Sequence, residues 1–149
     1  MKLEKLVAVS GLSGIYKMAD NRSNGLIIED MDSGKKRFAS ARKHQFTPLE
    51  SIAIFTDDGD SVELKKVFAK MFEQLDDNPP ISANSNSTEL FEYFADVLPT
   101  YDKDRVHAGD IKKVIKWFSF LNEKGLITLE TESDDTEENE TTEENTQND

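Results

Sequence analysis

Cysteine is absent from this chain of 149 residues. That excludes disulfides, thiolate metal centres and a thiol nucleophile, and is compatible with a reducing compartment. Long apolar runs are also missing. The run Leu6 to Val9 is broken by Ser10-Gly11; it falls short of the ~7–15 apolar residues of a signal-peptide core and the ~20 of a membrane span. The expectation is a cytoplasmic protein with no membrane partner. Histidine occurs only at His44 and His107, far apart in the chain. Basic residues vanish at the C-terminal end, where Glu130 to Asp149 holds ten acidic side chains and no Lys or Arg. That end carries most of the formal charge of −12. Its Glu/Thr/Asn composition, with few apolar residues to bury, predicts a disordered acidic tail over 130–149.

What remains patterns as α+β. Leu6–Ser10, Ile15–Ala19, Leu26–Ile28, Lys35–Ala41 and Ser51–Phe55 are short apolar or alternating runs separated by turn residues. Asn24-Gly25 is a hairpin signal, because both residues tolerate positive φ. This spacing predicts a small SH3-like or twisted antiparallel β module. The period then changes from 2 to 3.6: Leu64, Val67, Phe68, Met71, Phe72 and Leu75 form one apolar stripe of an amphipathic helix, with Asp60 and Glu63 placed to cap it. Residues 77–87, with Pro79-Pro80, read as a linker. A C-terminal helical hairpin follows. Its first helix carries Leu90, Tyr93, Phe94, Val97 and Leu98, capped by Asn86 or Ser87 and ended by Pro99. The second runs from about Asp110 to Lys124, with Gly125 at its C-terminus. Leu126–Leu129 reads as a short strand. The domain organisation expected is therefore 1–76 for the β module and trailing helix, 77–87, 88–129 for the helical module, and 130–149.

No stretch carries a catalytic or cofactor signature. Ser10-Gly11-Leu12-Ser13-Gly14 matches neither a phosphate loop nor a nucleophile elbow, and a strand rather than a helix follows it. Asp57-Asp58-Gly59-Asp60 lacks the alternating ligand spacing of a calcium loop and reads as a turn. Asp104, His107 and Asp110 could converge as metal ligands only on a helix, and Lys103 and Arg105 beside them point to surface ion pairing. Catalytic, cofactor and metal residues are accordingly assigned to none.

The best signal is basic. Lys35, Lys36 and Arg37 precede Phe38, and Arg42 and Lys43 follow it. In the last helix Ile111, Val114, Ile115, Phe118 and Leu121 make the core stripe, with Trp117 at its edge and Phe120 on the other side near Lys113 and Lys116. Aromatics among lysines suit single-stranded nucleic acid, with rings stacking on bases and ammoniums on phosphates. The same rings suit packing against the β module or a second copy, with the lysines as a rim, because two small modules need a shared core. The expected role is a non-catalytic binding or adaptor module with a protein partner or self-association and no small-molecule substrate. The alternative is a nucleic-acid-associated protein whose basic patch (Lys35, Lys36, Arg37, Arg42, Lys43, Lys113, Lys116 and Phe120) is modulated by the acidic tail.

Whole segments carry a further resemblance. Val9-Ser10-Gly11-Leu12-Ser13-Gly14-Ile15-Tyr16-Lys17, Gly25-Leu26-Ile27-Ile28-Glu29, Leu49-Glu50-Ser51-Ile52-Ala53-Ile54-Phe55-Thr56, Leu98-Pro99-Thr100-Tyr101-Asp102 and Asp110-Ile111-Lys112-Lys113-Val114 with Trp117 resemble an uncharacterised bacterial family. Its members pair a small β-rich N-terminal domain with a helical C-terminal one, both of unknown function. The resemblance spans nearly all of Met1 to Lys124 and implies no activity or ligand. This chain departs from the family pattern at Leu12-Ser13, where Lys-Pro is usual, and at Gly109, where Ser is.

Overall fold

The computed structural model describes residues 3–12 and 14–127. The acidic segment 130–149 lies outside the described residues, as do Thr128 and Leu129; Leu126 and Ile127 form no strand. Five strands make one antiparallel sheet: β1 (Leu6–Val9), β2 (Tyr16–Arg22), β3 (Gly25–Asp30), β4 (Lys36–Ser40) and β5 (Phe46–Pro48). Their order is β4-β3-β2-β1-β5, so the chain runs out as a meander and returns to the far side of β1. A 3-10 turn (Leu49–Ser51) leads to a two-stranded hairpin, β6 (Ala53–Phe55) and β7 (Ser61–Glu63). Three helices complete the fold: α1 (Leu64–Glu73), α2 (Ser87–Val97) and α3 (Ala108–Glu123). The protein is α+β.

Strand β1 shows why its run is apolar throughout. Leu6 and Ala8 face the main core, shared with the helices, while Val7 and Val9 face a second cluster with Ile28 and Ala39. A strand covered on both faces needs apolar residues at every position. The second cluster joins β1, β3 and β4, which are not all neighbours. The sheet is therefore strongly curled, helped by the shift in register between Met18 and Asp20 in β2.

Two local expectations are corrected. The β2–β3 turn is Ser23-Asn24, with Arg22 opposite Gly25, and neither Asn24 nor Gly25 takes a positive φ. Gly25 serves close approach instead: a Cβ there would lie 2.1 Å from the Ala39 carbonyl oxygen and 2.9 Å from the Phe38 ring. Asp60 and Glu63 do not form a capping pair for α1. Ser61–Glu63 is strand β7, and α1 opens at Leu64 with Glu63 at the N-cap, making no side-chain cap bond. The reason lies in the turn before it, where Gly59 at φ 86° lets 56–60 close tightly enough for Ile54 to pair with Val62.

The other helix signals hold. Asn86 caps α2, its side chain accepting from the Glu89 N–H at 2.9 Å while Glu89 accepts from the Asn86 N–H. At the end of α3 the Leu126 N–H reaches the Leu121 carbonyl and the Gly125 N–H the Asn122 carbonyl, a Schellman closure with Gly125 at φ 71°. All three helices share one core with the sheet. Phe68 of α1 meets Phe118 of α3 at 6.0 Å between ring centroids, and both are buried beside Leu6, Ile15 and Leu49. In the 77–87 segment Ile81 and Ala83 pack on that same core. Tyr101 holds the α2–α3 connection down: it stacks near Phe91, meets Phe94 edge-on at 5.4 Å, and pairs with Thr56 in an isolated bridge.

Candidate functional site

The outer edge of α3 is built by its helical period. Its core stripe is buried, Trp117 and Phe120 are half-buried at the margin, and Lys113 and Lys116 are exposed beside them. Facing them across a groove of about 420 Å³ are Ser10–Leu12, Gly14, Gln45 and Thr47 of the β module. A second depression of about 230 Å³ shares Lys113 and Trp117 and continues to Phe55 and Arg105. Together they form one groove along α3, walled at one end by the glycine turn and at the other by β6.

Phe120 sits at the first end as a packed ring. It lies over Gly14, and the Lys124 ammonium stands 4.6 Å from its centroid. Lys124 is in turn paired with Asp32 of the β3–β4 turn. Lys113, Lys116 and Phe120 are thus brought to one groove, with the ring used for packing and the lysines left at the rim. At the other end Phe55 is 45% exposed, and the Arg105 guanidinium lies 4.8 Å over its ring. Sequence reasoning placed Phe55 in a strand and Arg105 in surface ion pairing, which the Arg105–Asp102 pair at 3.8 Å bears out, but assigned neither to a site. The alternation of buried Ile54 with outward Ala53 and Phe55 was the available signal.

The other candidates stand elsewhere. Lys36 and Arg37 open β4, an edge of the sheet, with Lys35 just before them, and Phe38, which follows, is also 45% exposed. They border a separate depression of about 200 Å³ with Tyr16 and Asp30. It has no lining residue in common with the α3 groove. Arg42 and Lys43 are exposed in the turn after β4, their backbone N–H groups bonded to Ser40. Lys35, Lys36 and Arg37 therefore stand apart from Lys113 and Lys116.

The acidic candidates are structural. Asp58 accepts from the Thr56 hydroxyl at 2.6 Å and from the Asp60 N–H at 3.1 Å. These bonds, the Thr56 one foremost, hold its carboxyl below the ordinary 3.8. Asp30 is lowered likewise by the Ser33 and Asp32 N–H groups, which tie the β3–β4 turn. Asp110 accepts from the His107 N–H at 2.9 Å, capping α3. Among the described residues no group of three or more His, Asp or Glu is placed to hold a metal ion. Gly11 and Gly14, at φ 84° and 82°, turn the chain directly into a strand, without a helix end to receive an anion. Tyr93 is buried with its hydroxyl unpaired among the described residues, and burial pushes it up to about 12.

No helix among the described residues is long and apolar enough to cross a membrane. Comparison with curated proteins finds no match. Residues 3–49 match the Domain of unknown function (DUF5606), and residues 52–121 the Domain of unknown function (DUF6852). A solution NMR structure of a structural-genomics target from Bacteroides vulgatus is similar over the whole fold. It is 35% identical, with a TM-score of 0.69, and the match covers 86% of this chain and 91% of that one. With both domains of unknown function matched and a 35% identical relative covered over 91% of its length, this chain belongs to a family of two-domain proteins of unknown function.

Proposed function

We propose that this protein is a non-catalytic binding or adaptor module of the cytoplasm that takes a protein partner in the groove along α3. The observation that carries this reading is the groove's lining. It combines apolar and aromatic surface at Phe55 and Trp117 with rim cations at Lys113, Lys116 and Arg105, the mixture that protein-binding surfaces favour. The β6 wall supports an extended partner. Asp102 donates its N–H to the Phe55 carbonyl on the side of β6 away from β7, and Ala53 on that same edge has no backbone partner there among the described residues. A curled, SH3-like β module beside such a groove fits peptide capture, by analogy of architecture alone.

A nucleic-acid role has one observation in its favour, the exposed Phe38 ring set among Lys35, Lys36 and Arg37. Phe120, half-buried and packed on Gly14, offers that role a smaller stacking surface.

Recovery from cell lysate, with and without nuclease, tests the two readings on the wild-type chain and on Lys113→Glu/Lys116→Glu. A discrete protein partner that survives nuclease and is lost with the double variant supports the groove. Equal recovery by both chains removes the groove from the reading. Nuclease-sensitive recovery lost on Lys36→Glu/Arg37→Glu transfers the function to the β4 surface.

A further inference from the structure

We propose that the open edge of β4 takes an acidic extended segment of a partner protein as an added strand. This site shares no lining residue with the α3 groove and does not rest on it. Strand β4 lies at the end of the sheet order. The Ala41 N–H bonds to the Asn24 carbonyl and the Asp30 N–H to the Lys35 carbonyl, flanking the ladder with β3. In an antiparallel ladder those bonds direct residues 35, 37 and 39 inward, which turns the backbone groups of Lys36, Phe38 and Ser40 outward. The Ser40 carbonyl is taken by the Lys43 and His44 N–H groups. The N–H and C=O of Lys36 and Phe38 and the Ser40 N–H have no backbone partner among the described residues. An extended chain laid alongside meets donors and acceptors in the alternation that strand addition uses.

The side chains along this edge set the partner's chemistry. From Ser33 to Leu49 the sequence has five Lys or Arg and no Asp or Glu. All five, Lys35, Lys36, Arg37, Arg42 and Lys43, are exposed, and none pairs with an acid among the described residues. Asp30 borders the same depression as Lys35 and Arg37, but its carboxylate already accepts from the Asp32 and Ser33 N–H groups. On the opposite face, where Glu29 stands across from Lys36, the exposed Phe38 stands beside Ile27, which lies outside both buried clusters. Basic side chains on an edge keep two copies from pairing through it. That protection is specific to the sign of the charge, and it does not account for an exposed ring. A segment that alternates acidic and apolar residues answers both faces. Its carboxylates meet Lys35 and Arg37, and its apolar side chains extend the row of Ile27 and Phe38. Opposed charges on neighbouring strands favour the pairing, and covering Phe38 adds to it.

NMR on the full chain, titrated with a blocked octapeptide alternating Glu and Val, decides the matter. With the peptide bound, the Phe38 amide is expected to exchange at least ~10-fold more slowly, because an outward N–H at a free edge is unprotected. A blocked octapeptide alternating Glu and Pro carries the same charge without the N–H groups that would face the edge, and is expected to leave Phe38 unprotected. Lys35→Glu/Arg37→Glu, whose remaining amides report that it is folded, is expected to bind the Glu-Val peptide at least ~10-fold more weakly. Equal binding of the two peptides reduces the edge to charge attraction and overturns the proposal, as does no binding of either. Shifts at Lys113 to Trp117 in place of β4 overturn it while leaving the α3 groove as a binding surface. A single-stranded oligothymidylate that shifts Phe38 where the Glu-Val peptide does not assigns the edge to nucleic acid and overturns it too.

Discussion

The ring of Phe120 fills the space that a side chain at residue 14 would need. A Cβ built on Gly14 stands 2.9 Å from Cε1 of that ring, and the residue already sits at φ 82°. Gly14 is therefore constrained by its backbone and by the approach of α3, where Gly59, at φ 86° with nothing within 4 Å, is constrained by its backbone alone.

Substitution separates the two constraints. Gly59→Ala is expected to cost ~1 kcal/mol, the left-handed backbone penalty, and Gly14→Ala about 2–3 kcal/mol. In a Phe120→Ala background the excess at Gly14 disappears. Urea unfolding of the four chains checks this, and an equal cost for both glycines in the wild-type background would mean that the ring yields freely.

The two family domains are expected to unfold together. Residues from 3–49, such as Leu6, Ile15 and Leu49, and residues from 52–121, such as Phe68, Phe94 and Phe118, belong to one buried cluster. Trp117, the only tryptophan, reports on the helices, and the Arg37 amide, directed at β3 opposite Ile28, reports on the sheet. The two probes are expected to give coincident transitions. Phe118→Ala is expected to lower both by about 3–5 kcal/mol, the cost of an emptied aromatic site in a packed core. Transitions at different denaturant concentrations would show two independent units.

Asp58 sets part of the acid limb. Its folded carboxyl titrates below the ordinary 3.8 because the Thr56 hydroxyl and the Asp60 N–H bond to the ionised form. A lowered carboxylate stabilises the fold fully above its unfolded value, and that contribution is lost as pH falls through the lower folded one. The stability gap between wild type and Asp58→Ala is therefore expected to be constant above about pH 5 and to close progressively below about pH 4. A gap unchanged down to pH 2 would show that Asp58 contributes nothing through its charge.

Helix α3 and the stripe of α1 were legible because a period of 3.6 survives any context, and the cap at Asn86 because its bonds are local. The hairpin of Ser61-Val62-Glu63 was not, since three alternating residues before a strong helix stripe read as its first turn until a partner strand is placed beside them. The same limit applied to the basic residues. Lys35, Lys36 and Arg37 are consecutive and line one depression, but their separation from Lys113 and Lys116 is a matter of how the sheet curls.

By itself the sequence determined the helices, the first four strands, the lack of thiol chemistry and the concentration of negative charge beyond residue 129, because each follows from local period or composition. Only the tertiary structure decided that Phe120 belongs to Gly14, that Gly25 makes room for Phe38, and that Phe55 faces a groove beside Trp117. Those contacts join residues far apart in the chain, and their energy exists only once the curled sheet and α3 are packed together.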